Sequence, residues 1–89
     1  MLDELKNYLN ISWQDELIDN KLTQLVNESK AVLNHLMGID LDYEQDQEAK
    51  ELLFNRVRYA YNNALDEFEK NFAQVILRKQ LIVGIRHEA

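Results

Sequence analysis

Glu48 and Glu51 lie three residues apart, and Asp66 and Glu69 repeat that spacing further along the chain. On a helix, such spacing brings both carboxylates of a pair to one face. Paired carboxylate oxygens are the ligands a magnesium ion prefers, so these residues are where metal-assisted hydrolysis would be sought. Two features weigh against it. Glu48 closes an acidic run, Asp42, Glu44, Asp46 and Glu48, of the kind that starts a helix because the helix dipole favours negative charge there. Asp66 has Lys70 four residues on as an ion-pair partner. No lysine, arginine or glycine-rich arrangement is placed to hold phosphates. The pairs are read as charges on helix surfaces, and no magnesium site or other cofactor is expected.

The remaining chemistry-bearing types are sparse. His35 and His87 are the only histidines and there is no cysteine, so a zinc site would have to borrow carboxylates for its three or four ligands. Ser12 and Ser29 are the only serines. Neither sits in a nucleophile-elbow context or near an evident base. Two isolated glycines, Gly38 and Gly84, cannot build a nucleotide-binding loop. The expectation is a protein without a catalytic site.

The stretch Arg56-Val57-Arg58-Tyr59-Ala60-Tyr61-Asn62-Asn63 interleaves two arginines with two tyrosines. Such a mixture could stack on nucleic-acid bases. On a helix, Arg58, Tyr61 and Asn62 share one face and Arg56 and Tyr59 the neighbouring one. Arginine and tyrosine are also the residues enriched where proteins meet. Acidic residues flank the run on both sides, which favours a protein interface formed by Arg56, Arg58, Tyr59, Tyr61 and Asn62.

Four helical segments must position these residues. Leu2, Leu5 and Leu9 give a short first helix that yields at Asn10-Ile11-Ser12. Ser12, with Asp15 three residues on, reads as the cap of a second helix over about Trp13 to Met37. Its apolar stripe is Ile18, Leu22, Leu25, Val32 and Leu36, interrupted by Ser29 and flanked by Val26, Leu33 and Met37, a wide face of the kind that packs on two neighbours. Gly38 then supplies the left-handed residue of a Schellman stop. A third helix starts near Asp42 to Asp46 and carries Ala49, Leu53, Val57, Ala60 and Ala64. The pattern continues through Phe68, Phe72, Val75 and Ile76, with a bend at Asn62-Asn63 or Asp66 left open. The fold class expected is all-α: one domain, 1–89, a small bundle of about four mainly antiparallel helices. Its core is expected to hold Leu22, Leu25, Val32, Leu36, Leu53, Val57, Ala60 and Phe68.

The C-terminal stretch departs from this pattern. Leu77, Leu81, Ile82, Val83 and Ile85 surround the helix axis, and a helix apolar all round needs partners on several sides. Leu81 to Ile85 is β-branched enough to admit a strand instead. Residues 70–89 balance at +3, whereas residues 1–69 balance at −9. Residues 77–89 are therefore read as a docking tail in which Arg78, Lys79, Leu81, Ile82, Ile85 and Arg86 meet another protein surface, the alternative being a final helix of the core.

The 89-residue chain is 46% hydrophobic with net charge −6. That composition argues for a folded domain and against a DNA-gripping surface, which would be basic. The longest apolar run, Leu81 to Ile85, is far short of a membrane span. Met1-Leu2-Asp3-Glu4 shows no signal-peptide pattern, so an intracellular product is expected.

Taken in order, Leu5-Lys6, Trp13-x-Asp15, the stop at Gly38, Leu52-Leu53, Arg58-Tyr59-x-x-Asn62 and Glu67-Phe68-x-x-Asn71-Phe72 resemble the head–tail connector (adaptor) proteins of long-tailed bacteriophages. The similarity covers almost the whole chain. It implies a structural subunit that is made in the host cytoplasm and ends in the virion. There it forms a ring, a dodecamer, beneath the portal protein, extends the DNA channel and receives a stopper or tail-completion protein. Twelve copies at −6 each would carry −72, so packaged DNA would pass without specific binding. The alternative reading of the residues is a small helical regulator or interaction module, antitoxin-like, that works as a dimer or heterodimer.

Overall fold

The computed structural model describes residues 1–12 and 14–88, the last four of these by backbone alone. The described residues form four helices: α1 Leu2–Tyr8, α2 Glu16–Met37, α3 Gln47–Tyr61 and α4 Leu65–Glu88. There is no strand among the described residues, so the strand alternative for Leu81 to Ile85 gives way to the last turns of α4. The molecule is an all-α bundle measuring 45 × 25 × 17 Å.

Each boundary has a local cause, and several differ from expectation. Trp13 lies outside the described residues, and α2 begins after Asp15, not after Ser12. Asp15 is extended (φ −148°, ψ 118°) and its Oδ1 accepts the Leu17 amide at 2.9 Å. Aspartate caps as well as serine does, and here it does so three residues later. Gly38 ends α2 in the left-handed region at φ 74°, as expected. Its amide makes the single bond to the Asn34 carbonyl at 2.9 Å, which is the simpler αL stop rather than the Schellman pair. Schellman pairs instead form behind two asparagines with positive φ, Asn10 (60°) and Asn63 (56°). Asn10 and Ile11 donate to the carbonyls of Asn7 and Lys6, and Asn63 and Ala64 donate to those of Ala60 and Tyr59. The bend after α3 is therefore at Asn62-Asn63. Asparagine tolerates the left-handed region better than other non-glycine residues.

Side-chain contacts give the helix directions. Ser29 meets Arg56, and Lys21 lies over Tyr61, so α2 and α3 run antiparallel. Tyr59 packs on Phe68 and Phe72, while Lys79 reaches back to Asp46, so α3 and α4 are also antiparallel. The short α1 runs parallel to α3, joined by Lys50–Glu4 at one end and Tyr8–Asn55 at the other.

Leu5, Leu22, Leu33, Leu52, Leu53, Val57 and Phe68 are fully or almost fully buried. Leu25 and Ala60 are only partly buried, and Val32 (39% exposed) and Leu36 (41%) are not core residues at all. The inward face of α2 is Leu22, Val26, Ser29, Leu33 and Met37. Ser29 keeps helical spacing both with this series and with Leu25, Val32 and Leu36, so spacing alone does not choose between the two faces, and the contacts with α3 do. Over the junction of α3 and α4, Phe68 and Phe72 stack at 4.8 Å, and Tyr59 meets both edge-on at 5.7 and 5.8 Å. Aromatic geometries of this kind add about 0.5–1.5 kcal/mol per pair to simple burial.

Candidate interaction surfaces

Asp46 lies at the junction of three parts of the fold. It caps α3, with Oδ1 accepting the Ala49 amide at 3.2 Å, while Oδ2 accepts a hydrogen bond from Lys79 Nζ at 2.5 Å. Burial raises the Asp46 pKa, but Lys79 and the amides of Ala49 and Glu48 outweigh it and hold the carboxyl below its usual range. Glu48, one of the carboxylates considered for magnesium, lies 2.9 Å from Arg78 Nη2 and 3.8 Å from Lys79 Nζ. Its partner in that reading, Glu51, points to solvent, as do Asp66 and Glu69. No three His, Cys, Asp or Glu side chains converge as metal ligands among the described residues.

Three successive residues of α4 thus make polar contacts with other elements: Arg78 to Glu48, Lys79 to Asp46, and Gln80 Nε2 to the Leu36 carbonyl at 2.9 Å. The last of these satisfies a carbonyl that the end of α2 leaves without a helical partner. The sequence pattern predicts Arg78 and Lys79 to face another protein. In the fold Lys79 is buried within the chain, its stem packed and its ammonium on two carboxylates. An open cleft of about 710 Å³ borders this junction, lined by Asp42, Asp46, Glu48, Lys79 and Val83 among others.

The arginine–tyrosine run divides between interior and surface. Arg56 is half-buried and donates to the fully buried Ser29 hydroxyl at 2.9 Å. Burial lowers the Arg56 pKa against the opposing charges of Glu69 and Glu28. Arg58 is exposed, its guanidinium 5.8 Å from the Tyr8 ring and 5.2 Å from the Tyr59 ring. Its Nη2 donates to Asn55 Oδ1 at 3.3 Å, the same atom that accepts the Tyr8 hydroxyl at 2.9 Å. Tyr59 belongs to the aromatic cluster, Tyr61 lies beneath Lys21 at 5.2 Å, and Asn62 donates to the Arg58 carbonyl. Of the five residues assigned to an interface, Arg58 and Asn62 are exposed and the other three are partly buried. The Ser29–Arg56 bond was not read from the sequence. Its signal was available in the serine that interrupts an otherwise apolar stripe.

On the C-terminal segment, Leu77 (50% exposed) and Leu81 (61%) face solvent and Ile82 is at the margin, while Val83 is buried. The side chains of Ile85 and Arg86, also assigned to the docking tail, lie outside the described residues. No helix among the described residues is long and apolar enough to cross a membrane. Compared with protein-family models, with curated proteins and with solved structures, the chain matches none.

Proposed function

We propose that this chain is the structural subunit of a bacteriophage head–tail connector, assembling with its own copies into a ring under a portal protein. The observation that carries this reading is the apolar ridge on α4. Leu77 and Leu81 stand two residues before and after the buried Lys79, which at about 100° per residue turns both away from the core. Gln80, between them in sequence, bonds the Leu36 carbonyl in the last turn of α2, and the Leu36 side chain is itself exposed. An apolar surface continued across two helices is what a subunit built for assembly presents. The order and spacing of the motifs from Leu5-Lys6 to Asn71-Phe72 support the connector as the kind of assembly, with portal and stopper proteins as neighbours and the virion as its place. The acidic balance of −6 suits a channel through which DNA slides without being held.

Mass measurement of the purified chain, alone and with the portal protein from the same genome, tests the proposal. A portal-bound ring that is lost in a Leu77→Ser, Leu81→Ser variant of unchanged helicity is the expected result. A dimer indifferent to the portal would instead favour the regulator or interaction-module reading.

A further inference from the structure

Glu28 precedes the fully buried Leu33 on α2 by five residues, and Arg58 follows the fully buried Leu53 on α3 by five. At about 100° per residue, each lies about 140° around its helix from the inward position. Because α2 and α3 are antiparallel, the two rotations have the same sense. They start from opposite directions, so Glu28 and Arg58 end on opposite sides of the bundle. The Ser29–Arg56 hydrogen bond at 2.9 Å sets both residues at nearly one level along its axis.

Both groups are prepared for a partner. Arg58 is held between two tyrosine rings and by Asn55, which orients the fork that a carboxylate accepts bidentately. Glu28 Oε1 accepts from Gln24 at 3.1 Å. Neither Glu28 nor Arg58 has an oppositely charged group within 4.0 Å among the described residues. Beside them stand two exposed apolar groups, Val32 one turn beyond Glu28 and Tyr8 over Arg58, each 39% exposed.

We infer that copies of this chain associate side by side, with Arg58 of one copy pairing to Glu28 of the next and Tyr8 covering Val32 beside the pair. The contact joins two different faces of the same chain at one height. Repetition therefore gives a head-to-tail array, which is a ring where the rotation between copies closes, rather than a twofold dimer. The inference rests on the ring reading in taking the neighbour to be a second copy.

Charge reversal tests it, read by sedimentation of the purified chain over a concentration series. Arg58→Glu and Glu28→Arg are each expected to raise the dissociation constant at least about tenfold, with helicity unchanged. The double variant, and an equimolar mixture of the two single variants, are expected to return to within about threefold of wild type. Single variants that associate like wild type, reversals that neither the double variant nor the mixture rescues, or a wild-type chain still monomeric at about 1 mM overturn the inference. The Leu77→Ser, Leu81→Ser experiment is independent. If that variant loses the portal-bound ring while the charge variants associate normally, the ring reading stands and this contact falls. Charge-dependent association without any portal complex gives the reverse.

Discussion

Replacing Asp46 separates two contributions that one side chain makes to the bundle. In Asp46→Asn an oxygen remains to accept the Ala49 amide, but Lys79 loses its near partner and keeps only Glu48 at 3.8 Å. Breaking a fully buried ion pair costs about 3–5 kcal/mol, whereas a hydrogen bond to a charged group contributes about 1.5–3. The Lys79 side chain is almost wholly covered, but that of Asp46 is 27% exposed, so the lower range applies and about 2 kcal/mol is expected. Asp46→Ala also removes the cap, worth about 1 kcal/mol more. In a domain of this size each kcal/mol moves Tm by about 4–8 °C. The series is thus expected to fall by about 8–16 °C for asparagine and by a further 4–8 °C for alanine, measured by circular dichroism at pH 7. The pH dependence has a definite sign. Because Asp46 titrates lower in the folded than in the unfolded state, its contribution is present above the unfolded carboxyl value and is lost as pH falls through the folded one. The gap between wild type and Asp46→Asn should therefore be widest near neutrality and close on acidification below about pH 4. Asparagine matching wild type within about 0.5 kcal/mol would show that the pair behaves as an exposed one does and refute the reasoning. So would a gap that persists in acid.

Tyr43 gives the opposite limb. Burial and the neighbouring Asp40 push its phenol to about 12, and its hydroxyl donates to Asn34 Oδ1 at 2.7 Å. Stability is expected to decline as pH rises from about 10 towards 12, and urea titrations of Tyr43→Phe should show that loss reduced. Ser29→Ala removes the acceptor of the half-buried Arg56 and should lower stability by about 1–2 kcal/mol in chemical denaturation. At the turn after α3, Asn63→Ala should cost about 1–2 kcal/mol because φ is positive there. Asn63→Gly should be neutral or stabilising in the same assay.

The parts of the fold that could be read from the residues are those whose cause is local. Gly38 as a stop, the acidic run before α3 and the stripe Ala49, Leu53, Val57 each depend on neighbours within a turn or two. The breaks at Asn10 and at Asn62-Asn63 were legible too, the second as one of two places, but their positive φ was not, because Asn10 and Asn63 differ in no local respect from an asparagine that simply faces water. The partners of Ser29 and Lys79 were out of reach for another reason. A serine is tolerated in the core of α2 only because Arg56, 27 positions away, comes to meet it. Lys79 is buried only because Asp46, 33 positions away, receives its ammonium. Polar groups inside a protein are placed by their partners: Lys79 keeps helical spacing with Phe68, Phe72, Val75 and Val83, but that spacing does not say which carboxylate meets it. The same applies to the candidate surfaces. The run Arg56 to Asn62 stood out by composition, but its division into an inward Arg56 and an outward Arg58 follows from the tertiary contacts of each.

The internal use of Arg78 and Lys79 changes what the outer face of α4 can select. From the sequence, residues 70–89 carry +3 and would favour an acidic partner. With Arg78 against Glu48 and Lys79 against Asp46, two of the four cations are balanced within the chain, and the ridge of Leu77 and Leu81 is left with little charge to direct it. Docking on that ridge should then rest on apolar burial, at about 25 cal/mol per Å², and should tolerate salt. The contact between Arg58 and Glu28 of a neighbour is electrostatic at its centre and should not. Between about 0.1 M and 1 M salt the screening length falls from about 10 Å to about 3 Å. Raising salt should therefore weaken association of the free chain while leaving portal attachment through the ridge nearly unchanged. Equal sensitivity of the two would mean that charge, not burial, holds the α4 face.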